Sequence, residues 1–215
     1  MKNELLKRCF TSIILLTVFF FCLFKSQTSW VYLLIFFTVI CFYEFYNLLR
    51  KILKINLIFI LYISLIALYL YYFQLSLTKI RTEYNENIIL ILLSVCIFSD
   101  IGGYIVGKSI GGPKLTTISP NKTISGAIGS ILLAIFGTLA VNILLDVLDQ
   151  RKLITYIWII AMSIFCQIGD LFISFLKRKA NVKDTGSILP GHGGILDRVD
   201  GLIIAVPFGI LTFFN

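Results

Sequence analysis

The chain has 215 residues, 58% of them hydrophobic and only 14% charged, with a formal net charge of +8. A soluble globule needs roughly a quarter of its residues charged to coat its surface, so this balance, with a mean hydropathy of +0.94, excludes a soluble single-core domain. Repeated apolar runs of roughly 20 residues point instead to an all-α polytopic integral membrane protein. Its positive charge, spread over short loops, suits anionic headgroups or phosphorylated substrates and not a nucleic acid.

Seven candidate transmembrane helices are predicted, at 9–24, 30–49, 55–75, 88–107, 124–148, 153–176 and 195–214, within a bracket of six to eight. The first follows Lys2, Lys7 and Arg8. No small-residue cleavage site follows Phe24, and the chain runs on through Lys25 and Ser26 to Trp30, so a retained helix is expected and not a cleaved signal peptide. Cys9, Cys22, Cys41, Cys96 and Cys166 sit singly in apolar runs without a C-x-x-C pair, which reads as reduced small hydrophobes. The first three spans carry little besides aromatics and Glu44, so residues 1–87 are expected to be a three-helix membrane scaffold.

Residues 88–215 form the expected catalytic core, with two long loops rich in lysine and glycine at 108–123 and 177–194. These loops, the N-terminus, 50–54 and Arg198 just beyond the second loop hold all of the 19 lysines and arginines except Lys25, Lys79, Arg81, Arg151 and Lys152. Basic loops stay in the cytoplasm, which predicts a cytoplasmic N-terminus, an external C-terminus and both long loops on the cytoplasmic side.

In the fourth span Asp100 precedes Lys108 by eight residues, about 12 Å below the basic end. The stretch from Gly102 through Gly107-Lys108-Ser109 fits G-x-x-x-x-G-K-S literally. A P-loop needs a strand before it and exposed amides; this stretch starts inside an apolar run, so no phosphate loop is expected. Downstream, Ser119-Pro120-Asn121-Lys122-Thr123 reads as a helix start, with Ser119 at the cap and Pro120 in the first turn. Free amides, the positive dipole end and Lys122 would suit a phosphate there, and plain capping is the equal alternative.

In the sixth span Asp170 lies seven residues before Lys177, roughly 10 Å deep. Two carboxylates at matching depth under one face suggest a shared polar cavity, the alternative being an ion pair with a loop cation. Lys177, Arg178, Lys179 and Lys183 follow, then Asp184 and Pro190-Gly191-His192-Gly193-Gly194. Asp197 and Asp200, three apart, share a helix face. The helix dipole favours negative charge in a first turn, so both could be capping carboxylates. Residues 201–214 alone would reach only about 21 Å, short of a hydrocarbon core of about 30 Å. The helix is therefore predicted to start near Ile195, drawing both acids to the membrane edge, where paired carboxylates need a counter-ion. This favours a metal, and oxygen-only ligands suit Mg²⁺ or Mn²⁺. His192, the only histidine, is a candidate ligand or phosphate donor, although a lone histidine in a glycine turn more often is neither.

These residues resemble a known family. Ser174 through Lys177-Arg178, then Lys183-Asp184 and Leu189-Pro190-Gly191-His192-Gly193-Gly194-Ile195-Leu196-Asp197-Arg198-Val199-Asp200, look like the signature of phosphatidate cytidylyltransferases (CDP-diacylglycerol synthases). Asp100, Tyr104, Gly107-Lys108, Gly111, Lys114-Leu115, Ser119-Pro120, Lys122-Thr123 and Gly126 are similar to the family's second block, with Asn121 and Gly102-Gly103 as small variations. Coverage is good from Asp100 to Gly201, while the first three spans match only in general style, Tyr43-Glu44-Phe45 included.

The resemblance implies an all-helical membrane bundle, often a homodimer, that transfers a cytidylyl group from CTP to phosphatidate at the cytoplasmic face of the inner membrane. It implies a divalent ion on Asp170, Asp197 and Asp200, with Mg²⁺ required and a monovalent cation such as K⁺ as a further candidate. Phosphatidate is already an ionised nucleophile, so the obstacle is two polyanions meeting, which metal and basic side chains relieve. Lys108, Lys122, Lys177, Arg178, Lys183 and Arg198 are the expected neutralising cations, Lys183 and Arg198 at the reacting centre. Ser119, Asn121 and His192 are expected to bind substrate, and Asp100 and Asp184 to orient cations or lysines. The rivals are an ion-coupled secondary transporter, which would also use intramembrane acids, and a CTP-dependent lipid kinase. The first gives no reason for two basic glycine loops on one side.

Overall fold

The structure, a computed structural model, describes residues 2–189 and 193–213. Among the described residues there are seven helices: α1 (Lys2–Lys25), α2 (Gln27–Ile52), α3 (Leu57–Glu83), α4 (Glu86–Ile110), α5 (Ile124–Leu145), α6 (Leu153–Lys179) and α7 (Leu196–Phe213). Among the described residues there is no strand, only isolated bridges between Lys114 and Thr123 and between Leu189 and Gly193. Each predicted span falls on one helix. Helices α2 to α6 are long and apolar enough to cross a membrane. The apolar part of α1, Phe10–Lys25, is shorter, and α7 carries Asp197, Arg198 and Asp200 at its start. Large apolar side chains face outward along the helices, among them Phe36, Leu68, Phe136 and Leu144. Such a surface needs an apolar solvent, and the chain is a multi-pass, all-helical membrane protein.

Local chemistry sets the helix ends. Ser26 and Asn85 cap α2 and α4 with their side chains, and Gly111, at φ 66°, ends α4. The start of α5 corrects one expectation. Its cap is Thr123, whose Oγ1 accepts from Gly126 N–H at 3.1 Å, and not Ser119. Residues 119–122 form a turn closed by Lys122 N–H to the Ser119 carbonyl, 3.0 Å. Pro120 takes the second position of that turn, where its fixed φ is favourable.

The chain divides into two compact units. The first comprises Met1–Thr82 and Leu176–Val199. Its core holds Leu23, Trp30, Leu48, Leu70 and Ile80. Two donors tie helices to backbone there: Trp30 Nε1 to the Leu77 carbonyl (3.4 Å) and Arg81 Nε to the Leu23 carbonyl (2.8 Å).

The second unit comprises Glu83–Phe175 and Asp200–Asn215. Here α4 and α5 approach through small residues. A β-carbon on Gly102 would strike the Gly129 carbonyl, and one on Gly103 would lie 2.7 Å from Ser130 Oγ. Small residues that let backbones touch are the usual basis of helix association in lipid. Helices α6 and α7 do the same where Gly169 faces the Asp200 backbone and Gly201 faces Cys166. Ser99 and Ser163 share a buried hydrogen bond of 2.9 Å, and Trp158 Nε1 donates to the Gly209 carbonyl at 3.1 Å.

At the far end of α5, Asn142 is buried. Its Oδ1 accepts from Val147 and Leu148 N–H, and its Nδ2 donates to the Leu148 carbonyl. Asn142→Ala is expected to lower stability by about 1–3 kcal/mol, the cost of orphaning buried backbone groups, seen as a lower thermal midpoint in detergent.

Candidate active site

In the second unit, α4, the turn before α5, α5 and α6 enclose a cavity of about 350 Å³. Asp100 and Tyr104 line it from α4, Ser119, Asn121 and Lys122 from the turn, Ser130 from α5, and Gln167 and Asp170 from α6. The closed turn described above turns Ser119, Asn121 and Lys122 to one cavity. Asp170 forms an ion pair with Lys122 and accepts from Ser174 Oγ at 3.3 Å. Both alternatives drawn from the sequence therefore hold in part. Asp100 and Asp170 share a polar cavity, and a loop lysine compensates one of them.

Asp200 lies where α6 and α7 touch. Its backbone carbonyl faces Gly169, and its Oδ1 accepts from Gly201 N–H at 2.8 Å. The absence of a β-carbon at 169 and 201 sets that crossing, beside Asp170 in one helix and Asp200 in the other. Lys108 does not line the cavity; it is exposed and donates to the Tyr104 hydroxyl at 3.2 Å. The stretch 102–109 lies wholly within α4, so it forms no phosphate loop.

In the first unit Asp197 is the centre of a second polar cluster. Lys177 Nζ lies 2.7 Å from its Oδ1, with only 8% of the aspartate side chain exposed. Its Oδ2 accepts from Thr185 N–H at 2.8 Å and Gly194 N–H at 3.1 Å. These donors belong to the loop ahead of α7, so Asp197 gathers that loop and does not cap its own helix. Capping falls to Glu44 of α2, whose carboxylate accepts from Ile195 N–H (3.0 Å) and Leu196 N–H (2.8 Å). Arg178, Lys183, Asp184 and Arg198 have exposed side chains in this unit, and His192 lies outside the described residues.

Glu44, Thr185, Gln167 and Tyr104 were not identified as site residues from sequence. Two of them carried a signal: Tyr104 stands in the block that resembles the family, and Glu44 is a lone carboxylate in an apolar span, which is costly unless it is used.

Among the described residues no three His, Cys, Asp or Glu side chains gather in a metal-binding cluster. Asp170 and Asp200 in the second unit, and Asp197 in the first, each offer carboxylate oxygens, the kind of donor that a hard divalent cation takes. At Asp170 and Asp197 a lysine ammonium supplies the positive charge that such oxygens require.

The sequence model of the cytidylyltransferase family matches residues 56–214. The chain is 43% identical over 133 residues to the phosphatidate cytidylyltransferase of Brucella suis biovar 1 (strain 1330), covering 61% of this chain and 48% of that protein. It is 36% identical over 141 residues to the enzyme of that name from Helicobacter pylori (strain J99 / ATCC 700824), covering 65% and 52%. With the one from Bacillus subtilis (strain 168) the identity is 46% over 115 residues, covering 51% and 41%. The chain spans about half the length of the curated relatives it matches.

Proposed function

The chain belongs to the cytidylyltransferase family, and from that membership we propose that it transfers a cytidylyl group from CTP to phosphatidate. The observation that carries this reading is that the matched region, 56–214, contains every residue of the charged cavity and of the Lys177–Asp197 cluster. A phosphatidate phosphate oxygen attacks the α-phosphorus of CTP. The bond from that phosphorus to the bridging oxygen of the β-phosphate breaks, its electron pair leaves with pyrophosphate, and CDP-diacylglycerol forms.

No side chain has to act as nucleophile. The protein's task is to hold two polyanions together and to spread the charge that develops on the leaving oxygens. Lys122, at the cavity wall, and Ser119 and Asn121 beside it bind phosphate oxygens. Lys177, Arg178, Lys183 and Arg198 neutralise CTP and the lipid headgroup, joined by Lys108 from the end of α4, and His192 donates to phosphate. Asp100 and Asp184 orient these cations. Asp170, Asp197 and Asp200 are the oxygen donors for Mg²⁺, with Mn²⁺ as a substitute and K⁺ as an additional monovalent ion. When bound, the divalent ion supplies Lewis-acid charge at the phosphates. The protein acts as a homodimer in the inner membrane, its N-terminus and both basic loops in the cytoplasm, where CTP is dissolved; the charge distribution among the loops supports that orientation.

The reading is tested with the purified chain in detergent, phosphatidate, Mg²⁺ and CTP labelled separately in the base and in the γ-phosphate. The base label is expected in lipid and the γ label in pyrophosphate. A γ label in lipid would make the protein a kinase, and solute uptake in vesicles without any CDP-linked lipid would make it a transporter.

A further inference from the structure

Glu44 is 1% exposed, and the chemistry above does not use it. A buried carboxylate is costly unless donors surround it. Glu44 has three: Ile195 N–H on Oε1, and Leu196 N–H and Thr185 Oγ1 (2.8 Å) on Oε2. The first N–H groups of a helix have no partner inside it, and its dipole is positive at that end. Glu44 therefore does for α7, from 151 residues away, what a local cap does elsewhere. Two glycines admit it. A β-carbon on Gly186 would lie 2.6 Å from Glu44 Oε1, and one on Gly194 would collide with the same carboxylate.

The effect reaches Asp197 through Thr185. The Thr185 N–H donates to Asp197 Oδ2, and its hydroxyl, with one proton to give, lies 2.8 Å from Glu44 Oε2 and 2.9 Å from Asp197 Oδ2. Gly194 N–H takes up Oδ2 as well, which leaves Oδ1 for a cation, here Lys177. We infer that Glu44 is the positioning residue of Asp197: it fixes the first residues of α7 and the Thr185 side chain, so that loop donors occupy Asp197 Oδ2 and Oδ1 is left for a cation. It touches neither substrate nor reacting atom. The inference rests on the reading that this chain is a cytidylyltransferase with Asp197 in its site.

The test compares wild type, Glu44→Ala and Glu44→Gln as full chains in detergent, by hydrogen exchange at the Ile195 and Leu196 amides and by CDP-lipid formation. In Glu44→Ala exchange at both amides is expected to rise about tenfold or more, as for a lost hydrogen bond. Turnover is expected to fall about 10²-fold, the scale of a displacement of about 1 Å at a reacting centre, with KM for phosphatidate within about twofold of wild type. Glu44→Gln keeps the size and one acceptor oxygen and should fall between the two in both readings. It decides the matter if the alanine variant does not fold. Faster exchange with wild-type turnover per folded molecule would make Glu44 a plain helix cap and overturn the positioning role; unchanged exchange would overturn the cap itself. If wild type makes no CDP-linked lipid, the functional reading fails, and the amide exchange still decides whether Glu44 holds the start of α7.

Discussion

Asp170→Asn is expected to lower CDP-lipid formation by about 10²- to 10³-fold, the usual cost of removing one preorganised electrostatic contact. The substitution keeps the shape of the side chain and removes its charge. It leaves Lys122 facing a neutral amide in a cavity that both residues line. Breaking one half of a partly buried ion pair also destabilises, because the other charge remains. Activity alone would therefore not separate chemistry from bracing. The double variant Asp170→Asn with Lys122→Met separates them, since it removes both charges at once. Its thermal midpoint is expected to recover toward wild type while turnover stays at or below that of Asp170→Asn. Recovery of turnover together with stability would show that the pair only holds α6 to the turn before α5, and the metal assignment of Asp170 would be wrong.

Gly102→Ala is expected to cost about 1–3 kcal/mol, the range for overpacking a close contact. For a chain of this size that lowers the thermal midpoint by about 2–4 °C per kcal/mol. The added β-carbon would meet the Gly129 carbonyl and come within 2.7 Å of Leu133 Cβ. A backbone carbonyl inside a helix cannot rotate away as a long side chain can, so α4 and α5 have to separate. Both helices line the cavity, through Gly103 and Tyr104 on one side and Gly126, Ala127 and Ser130 on the other. Turnover should therefore fall along with stability. Ile105→Ala, on the exposed face of α4, is the control and should change neither. Equal behaviour of the two variants in a melting experiment would refute the close-packing account.

The sequence carried the helices well and their ends less well. An apolar run announces a span because the hydrocarbon core penalises any interruption, and all seven runs became helices. The run does not announce its end, because a helix continues into polar residues such as Lys79, Arg81 and Glu83 of α3 at little cost. Ser119 illustrates the limit of local signals. Ser-Pro suits a helix cap and a β-turn equally, and the choice fell to Thr123, whose hydroxyl reaches Gly126 N–H. The literal G-x-x-x-x-G-K-S match failed for the opposite reason, since its glycines pack α4 on α5.

Asp100, Lys122, Asp170, Lys177 and Asp197 could be named from sequence because charge is rare in an apolar chain and so stands out. Their partners could not. Lys122 pairs with Asp170, and Lys177 with Asp197, although several other basic residues lie at similar sequence distance. Composition and periodicity alone determined that this chain lives in a membrane as helices and that its polar chemistry lies in 100–126 and 169–201, since the solvent a helix needs is a property of its own residues. Only the tertiary structure decided that Glu44 caps α7, that glycines 186 and 194 make room for it, and which lysine meets which aspartate. Those outcomes depend on distances between atoms far apart in the chain, and a hydrogen bond between residues 44 and 195 leaves no trace in the residues around either one.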